Sequence, residues 1–213
     1  MNVENPIDVA ELFATYYSDV SSQNQVTRYK TNWRRQKQTN TKEYNNLFGM
    51  KELMDVIHSL KDNKSPGEDT IENMMIKKLP QKTIQFMLDL FNRIWITKEI
   101  PQQWKTSIVI PILKSGKQSS IISNYRPIAL NSCICKVMEK MVNSRLTWYL
   151  ERNKRLSTQQ YGFRSNRSTI EPIAQLTTQI LNGFTNKQIT IAISFDIKKA
   201  FDTINQDLII ENL

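Results

Sequence analysis

ITIAISFDIKKAFDTI, residues 189–204, is the stretch that decides how the chain is read. Ile189, Ile191, Ile193 and Phe195 alternate with Thr190, Ala192, Ser194 and Asp196, the two-residue period of a β-strand. That period puts bulky side chains on one face and small ones on the other. A strand over Gln188–Phe195 is therefore predicted, its bulky face in the core and its small face ending in a carboxylate beside a cleft. Asp196 there can ligate a hard cation such as Mg²⁺, which takes one or two carboxylates and completes its shell with water and phosphate oxygens. An aspartate capping the turn after a strand accounts for the same residue. Asp202, six residues on, does not share a helix face with Asp196 and reads as a cap or an ion-pair partner.

Upstream of this strand the pattern turns helical. Ser168 opens a helix with a capping-box spacing, Glu171 lying three residues on and Pro172 in the first turn. Ile170, Ile173, Ala174, Ile180, Leu181 and Phe184 recur on it, and Gly183 near its end suits a left-handed cap. Earlier helices are expected over 6–20, Met50–Leu60, from Thr70, Gln81–Thr97 and Cys133–Leu150, and a last one near Gln206. On the 6–20 helix the apolar positions are Ile7, Leu12, Phe13 and Tyr16. On the Cys133–Leu150 helix Ile134, Met138, Met141, Val142, Leu146 and Tyr149 share a side. Thr106–Leu113 is a β-branched strand, turned at Lys114–Gly116, and Tyr125–Leu130 is a second extended piece. No segment repeats. The chain is thus mixed α/β, mostly helical with a few short strands.

Composition narrows the function classes. Among 213 residues, 29 Lys and Arg face 20 Asp and Glu, a formal charge of +9. Such an excess suits a polyanionic partner, because phosphate contacts release counterions; a solvated basic surface gives the same count. The single His58 and the two cysteines, Cys133 and Cys135, are too few for a disulfide framework or a structural zinc site. His58 reads as a surface helix residue and the thiols as reduced and packed. No apolar run approaches the roughly 18 residues of a membrane helix, and the acidic N-terminus lacks a leader pattern, so the chain is expected to be soluble and intracellular. Residues 21–48 interleave Arg28, Lys30, Arg34, Arg35, Lys37 and Lys42 with Tyr29, Trp33 and Tyr44. They read as a linker, or as a strip that grips nucleic acid by charge and stacking. Gly116-Lys117 lacks the flanking residues of a phosphate-binding loop, which argues against an ATPase.

Five motifs carry a resemblance. FDIKKAFDTI (Phe195–Ile204), SPGED (Ser65–Asp69), WKTSIVIPILKSGK (Trp104–Lys117), NYRPIAL (Asn124–Leu130) and QQYGFRSNRST (Gln159–Thr169) resemble, in the same order, motifs of non-LTR, LINE- and jockey-like retrotransposon reverse transcriptases. Glu68 and Thr70 depart from the usual Pro and Gly of the Ser-Pro-Gly turn. The spacing from Lys114 to Arg126 and the Asn-Tyr-Arg-Pro-Ile wording favour this group over the group II intron maturases.

The resemblance implies a polymerase that uses an RNA template, a DNA primer, dNTPs and two Mg²⁺ ions, working in nucleus and cytoplasm as a ribonucleoprotein. It implies an extension over 1–48 and, over 49–213, the fingers and the start of the palm. Asp196 becomes the first metal-binding aspartate and Ile197 offers its backbone carbonyl to the same ion. Phe201 becomes the bulky residue that excludes a ribose 2′-hydroxyl. Lys114 and Arg126 grip the incoming triphosphate, and Arg164 and Arg167 touch template backbone or nucleotide. A surface charge or a core aromatic explains each of these singly. The family's later pair of aspartates, its thumb, its N-terminal endonuclease and its Cys/His-rich tail have no counterpart here. The expectation is a fragment or decayed copy, inactive alone; the alternative is a non-catalytic RNA-binding remnant.

Overall fold

A computed structural model describes residues 5–22 and 45–197. In chain order they form α1 (Pro6–Ser22), α2 (Met50–Ser59), α3 (Asn73–Lys77), α4 (Gln81–Thr97), β1 (Ile108–Leu113), β2 (Tyr125–Leu130), α5 (Cys133–Arg152) and α6 (Ile170–Thr185). The architecture is mixed α/β, mostly helical, with one two-stranded sheet among the described residues. Two compact units divide it, one carrying the described residues up to Arg145 and the other running from Leu146.

The core of the first unit follows from helical spacing. Leu53, Val56 and Ile57 on α2, Ile84, Met87, Leu88, Phe91 and Ile94 on α4, and Cys133, Val137, Met138 and Met141 on α5 are all buried. Recurrence every three or four residues gives each helix one apolar stripe, and the stripes meet with Phe48, Leu60 and Ile76 in one cluster. Phe91 and Leu53 lose all contact with solvent, each burial stabilising by about 1.5–3 kcal/mol. Both cysteines are free and buried. Burial, with the Glu139 carboxylate next in effect, pushes the Cys135 thiol up to about 12, so it packs rather than reacts. His58 is exposed, as its place outside the apolar stripe implies.

The sheet is an antiparallel hairpin in which Ile108 faces Leu130 and Leu113 faces Tyr125. Its turn carries Gly116 at φ +69. Asn124 Nδ2 donates to the Gln118 carbonyl (3.0 Å) and the Tyr125 hydroxyl to that of Ser119 (3.1 Å). Helix α1 belongs with this hairpin: the rings of Phe13 and Tyr125 meet edge-on at 4.9 Å. The half-buried stripe of α1 is Val9, Phe13, Tyr16, Tyr17 and Val20. Ile7 and Leu12, the other two apolar positions read on this helix, are exposed.

Four further expectations are corrected. No helix starts at Thr70, whose φ of 56 is left-handed; Asp69 Oδ1 accepts from the Ile71 amide (3.2 Å), and the helix begins at Asn73. On α5 Met138 and Met141 are buried and Ile134 and Val142 pack partly buried against the core as expected, but Cys133, Cys135 and Val137 share that burial and Leu146 is exposed. On α6 no capping box forms: Ser168 Oγ takes the Ile170 amide (3.1 Å), while Glu171 pairs with Arg167 at 3.5 Å. Gly183 is no left-handed cap either. It is buried inside α6, and the left-handed residue is Lys187 at φ 54.

The largest difference lies at the stretch that opened the reading. Residues 188–197 form no strand. Ile189, Ile191, Ile193 and Phe195 are 73–93% exposed, and no described strand pairs with them. Alternation supplies a strand's two faces but not the neighbour whose amides and carbonyls complete its ladder. The helix expected near Gln206 lies outside the described residues.

Candidate nucleotide and nucleic-acid site

Lys114 and Arg126 belong to the hairpin. Arg126 stands opposite Ile112 in the β1–β2 register. Lys114 follows two residues after Ile112, so alternation turns it to the same face, and diagonal neighbours of this kind lie about 7–8 Å apart. The pairing continues one step beyond the strands, where the Lys114 amide donates to the Asn124 carbonyl (2.9 Å). Lys114 Nζ reaches the Ser123 carbonyl (2.9 Å), which holds the ammonium at the rim of the turn, and Arg126 is exposed. The fold thus brings together two cations that lie 12 residues apart in sequence. One is a point charge and the other a forked donor, the combination that suits phosphate.

Arg164 and Arg167 lie in the second unit, on the loop that precedes α6. Arg164 clasps Glu151 through both oxygens, Nε to Oε1 at 2.9 Å and Nη2 to Oε2 at 2.6 Å. Its Nη1 donates to the carbonyls of Ser157 (2.7 Å) and Gln160 (3.3 Å). Only 9% of its side chain is exposed. The hydrogen-bonded guanidinium holds the Glu151 carboxyl below its usual range. Arg164 thereby closes its own loop onto the end of α5. Arg167 pairs more loosely with Glu171 and lies 5.4 Å over the Tyr161 ring.

Asp196 and Ile197 lie on the exposed stretch after α6, and Phe201 lies outside the described residues. Among the described residues no three His, Cys, Asp or Glu side chains cluster so as to hold a metal ion. Asp196 is a single carboxylate donor, and the described residues alone do not make up a metal site. No described helix is long and apolar enough to cross a membrane.

Sequence reasoning missed two residues. Glu151, which shapes the Arg164 loop, sits in an unremarked helix end. Phe163, in the same loop, has the left-handed φ of 59, which no residue pattern signals for a phenylalanine.

The family model described as reverse transcriptase (RNA-dependent DNA polymerase) matches residues 112–213, from the end of β1 onward. The probable RNA-directed DNA polymerase from transposon BS of Drosophila melanogaster is 34% identical over 164 residues, 77% of this chain. The chain belongs to the non-LTR retrotransposon reverse transcriptases. The probable RNA-directed DNA polymerase from transposon X-element of the same fly is 34% identical over 153 residues, 72% of this chain. The RNA-directed DNA polymerase from mobile element jockey, also of that fly, is 31% identical over 155 residues, 73% of this chain. The chain spans 18%, 17% and 17% of the lengths of these three relatives.

Proposed function

We propose that this reverse transcriptase segment supplies the triphosphate grip and part of the template contact of an RNA-directed DNA polymerase that copies RNA with dNTPs. The observation that carries this reading is the placement of Lys114 and Arg126 on one hairpin, Arg126 opposite Ile112 and Lys114 bonded to Asn124 one step beyond the strands. Two cations there neutralise a triphosphate, and among the described residues neither is paired with a carboxylate. Arg167 is the loop cation that meets nucleic acid, while Arg164 acts by holding the loop's shape. Asp196 and the Ile197 carbonyl are part of a donor set for Mg²⁺, which when bound stabilises the attacking and leaving oxygens of phosphoryl transfer. Phe201 excludes the 2′-hydroxyl. Residues 1–48 are an extension and 49–213 the polymerase part.

The test is triphosphate and nucleic-acid binding by the purified chain. Lys114→Ala and Arg126→Ala are each expected to weaken dNTP binding about tenfold, measured by calorimetry, with the fold unchanged by circular dichroism. Unchanged affinity in both would overturn the assignment. A polypeptide of these 213 residues alone is expected to incorporate no dNTP, since one aspartate cannot hold two ions about 4 Å apart. Incorporation that Asp196→Ala abolishes would overturn that expectation. An RNA-binding remnant would instead bind RNA with no affinity for dNTP.

A further inference from the structure

Phe163 is 97% exposed and adopts φ 59. Left-handed backbone is a genuine outlier for a bulky residue and persists only where the surroundings over-determine it. Here they do. On one side the Tyr161 hydroxyl accepts from Gln175 Nε2 (2.8 Å) and Gln160 Nε2 donates to the Gly162 carbonyl (3.3 Å). On the other, Arg164 makes two bonds to Glu151 and two to loop carbonyls. The loop is fixed at both flanks, and the ring between them projects into solvent.

An aromatic ring held in water forgoes the burial that dominates its energetics. A single projecting ring is also too small for a protein interface, which takes roughly 800 Å² per partner. It matches the face of one nucleobase. The surroundings have the chemistry of a single strand's binding site. Between Glu151 and Glu171 the chain carries Arg152, Lys154, Arg155, Arg164 and Arg167, and both glutamates are already paired, with Arg164 and Arg167. Arg152 lies 4.7 Å over Trp148 and Arg167 lies over Tyr161, so this unit carries two pairings of a cation with a ring. Basic side chains track phosphates while rings stack on successive bases.

We propose that Phe163 is a stacking post for one unpaired nucleobase of a single-stranded nucleic acid, presented by the fixed Ser157–Arg167 loop. The inference deepens the nucleic-acid reading above and rests on it. It adds a base contact, blind to sequence because every base has a π-face, to contacts made through phosphate.

Fluorescence anisotropy of the full chain with a short oligouridylate and with a blunt RNA duplex tests it. Phe163→Ala is expected to weaken single-strand binding about tenfold or more and to leave duplex binding and the melting temperature unchanged, the ring being exposed. Phe163→Trp should restore the single-strand affinity. Equal single-strand affinity for Phe163→Ala and the unaltered chain would overturn the stacking post while leaving the phosphate contacts standing. Self-association lost in Phe163→Ala with RNA affinity intact would also overturn it, assigning the ring to a second copy. An unaltered chain that binds neither RNA would overturn this inference and the reading beneath it together.

Discussion

At the residue scale, Arg145 joins parts of the fold that no motif marks. It donates from Nε to Glu52 Oε1 and from Nη2 to Glu52 Oε2, both at 2.8 Å, and to the backbone carbonyls of Asn46 and Leu47. Its guanidinium lies 4.3 Å over the Phe48 ring. One side chain thus ties α5 to α2 and to the segment that leads into it. Arg145→Met is expected to lower the unfolding free energy by about 2 kcal/mol, because it strips Glu52 and two carbonyls of their donors. Urea denaturation reads this, and an unchanged midpoint would deny the clamp. The hydrogen bond from Arg145 also lowers the Glu52 pKa against partial burial. A group with a depressed folded pKa stabilises above its unfolded value and loses that stability as pH falls through the folded one. The chain should weaken as pH drops below about 4.3, and Glu52→Gln should flatten that part of the profile. Gly67 is a second fixed point, since a Cβ there would stand 2.6 Å from the Ser132 amide nitrogen and 2.7 Å from the Asn131 carbonyl carbon. Backbone cannot step aside as a side-chain tip can, so Gly67→Ala is expected to cost about 1–3 kcal/mol in the same denaturation experiment. The sequence marked Gly67 as a turn residue; its close approach to a chain segment 64 residues away is a tertiary fact that no local pattern contains.

At the element scale, sequence and structure part where pairing matters. The helices with strong stripes, α2 and α4, and both hairpin strands lie where their periodicity puts them, because the stripe or the short turn contains most of what the element needs. The stretch 188–197 needs something that its own residues do not contain, a neighbouring strand, and its alternation alone leaves it exposed. What fixes its start is a contact with α6. The Gln188 amide donates to the Gly183 carbonyl (2.8 Å), and Thr190 Oγ1 sits 2.5 Å from where a Gly183 Cβ would stand. Gly183 is therefore a docking notch rather than a helix stop. Gly183→Ala is expected to displace Thr190 and speed hydrogen exchange at the Gln188 amide, and Thr190→Gly in the same chain should restore its slow exchange. Equal exchange in Gly183→Ala and the unaltered chain would mean that the notch does not hold the stretch that carries Asp196. The candidate site divides in the same way. That Lys114 and Arg126 share one hairpin follows from a local register, whereas the Arg164 pairing with Glu151 does not, because thirteen residues and a turn separate them.

At the scale of the whole molecule, a charge of +9 is a sum that hides which cations can meet a polyanion. Arg145 and Arg164 are spent on carboxylates and carbonyls, with side chains 16% and 9% exposed, and their charge is largely balanced before any partner arrives. Arg126, on the exposed hairpin face, has no carboxylate within salt-bridge distance among the described residues. Counterion release counts only cations that replace condensed ions at phosphates, so the slope of log affinity against log salt measures that free set rather than the net charge. Binding of single-stranded RNA is expected to weaken linearly on that plot. Arg126→Ala should reduce the slope by about 0.7, the value of one phosphate contact on a single strand. Arg145→Met, which removes the same formal charge, should leave the slope unaltered while lowering stability. Net charge alone would make the two substitutions equal, and that outcome, read by anisotropy across a salt series at a temperature where both variants are folded, would show that binding follows a diffuse basic field instead of the cations placed on the hairpin.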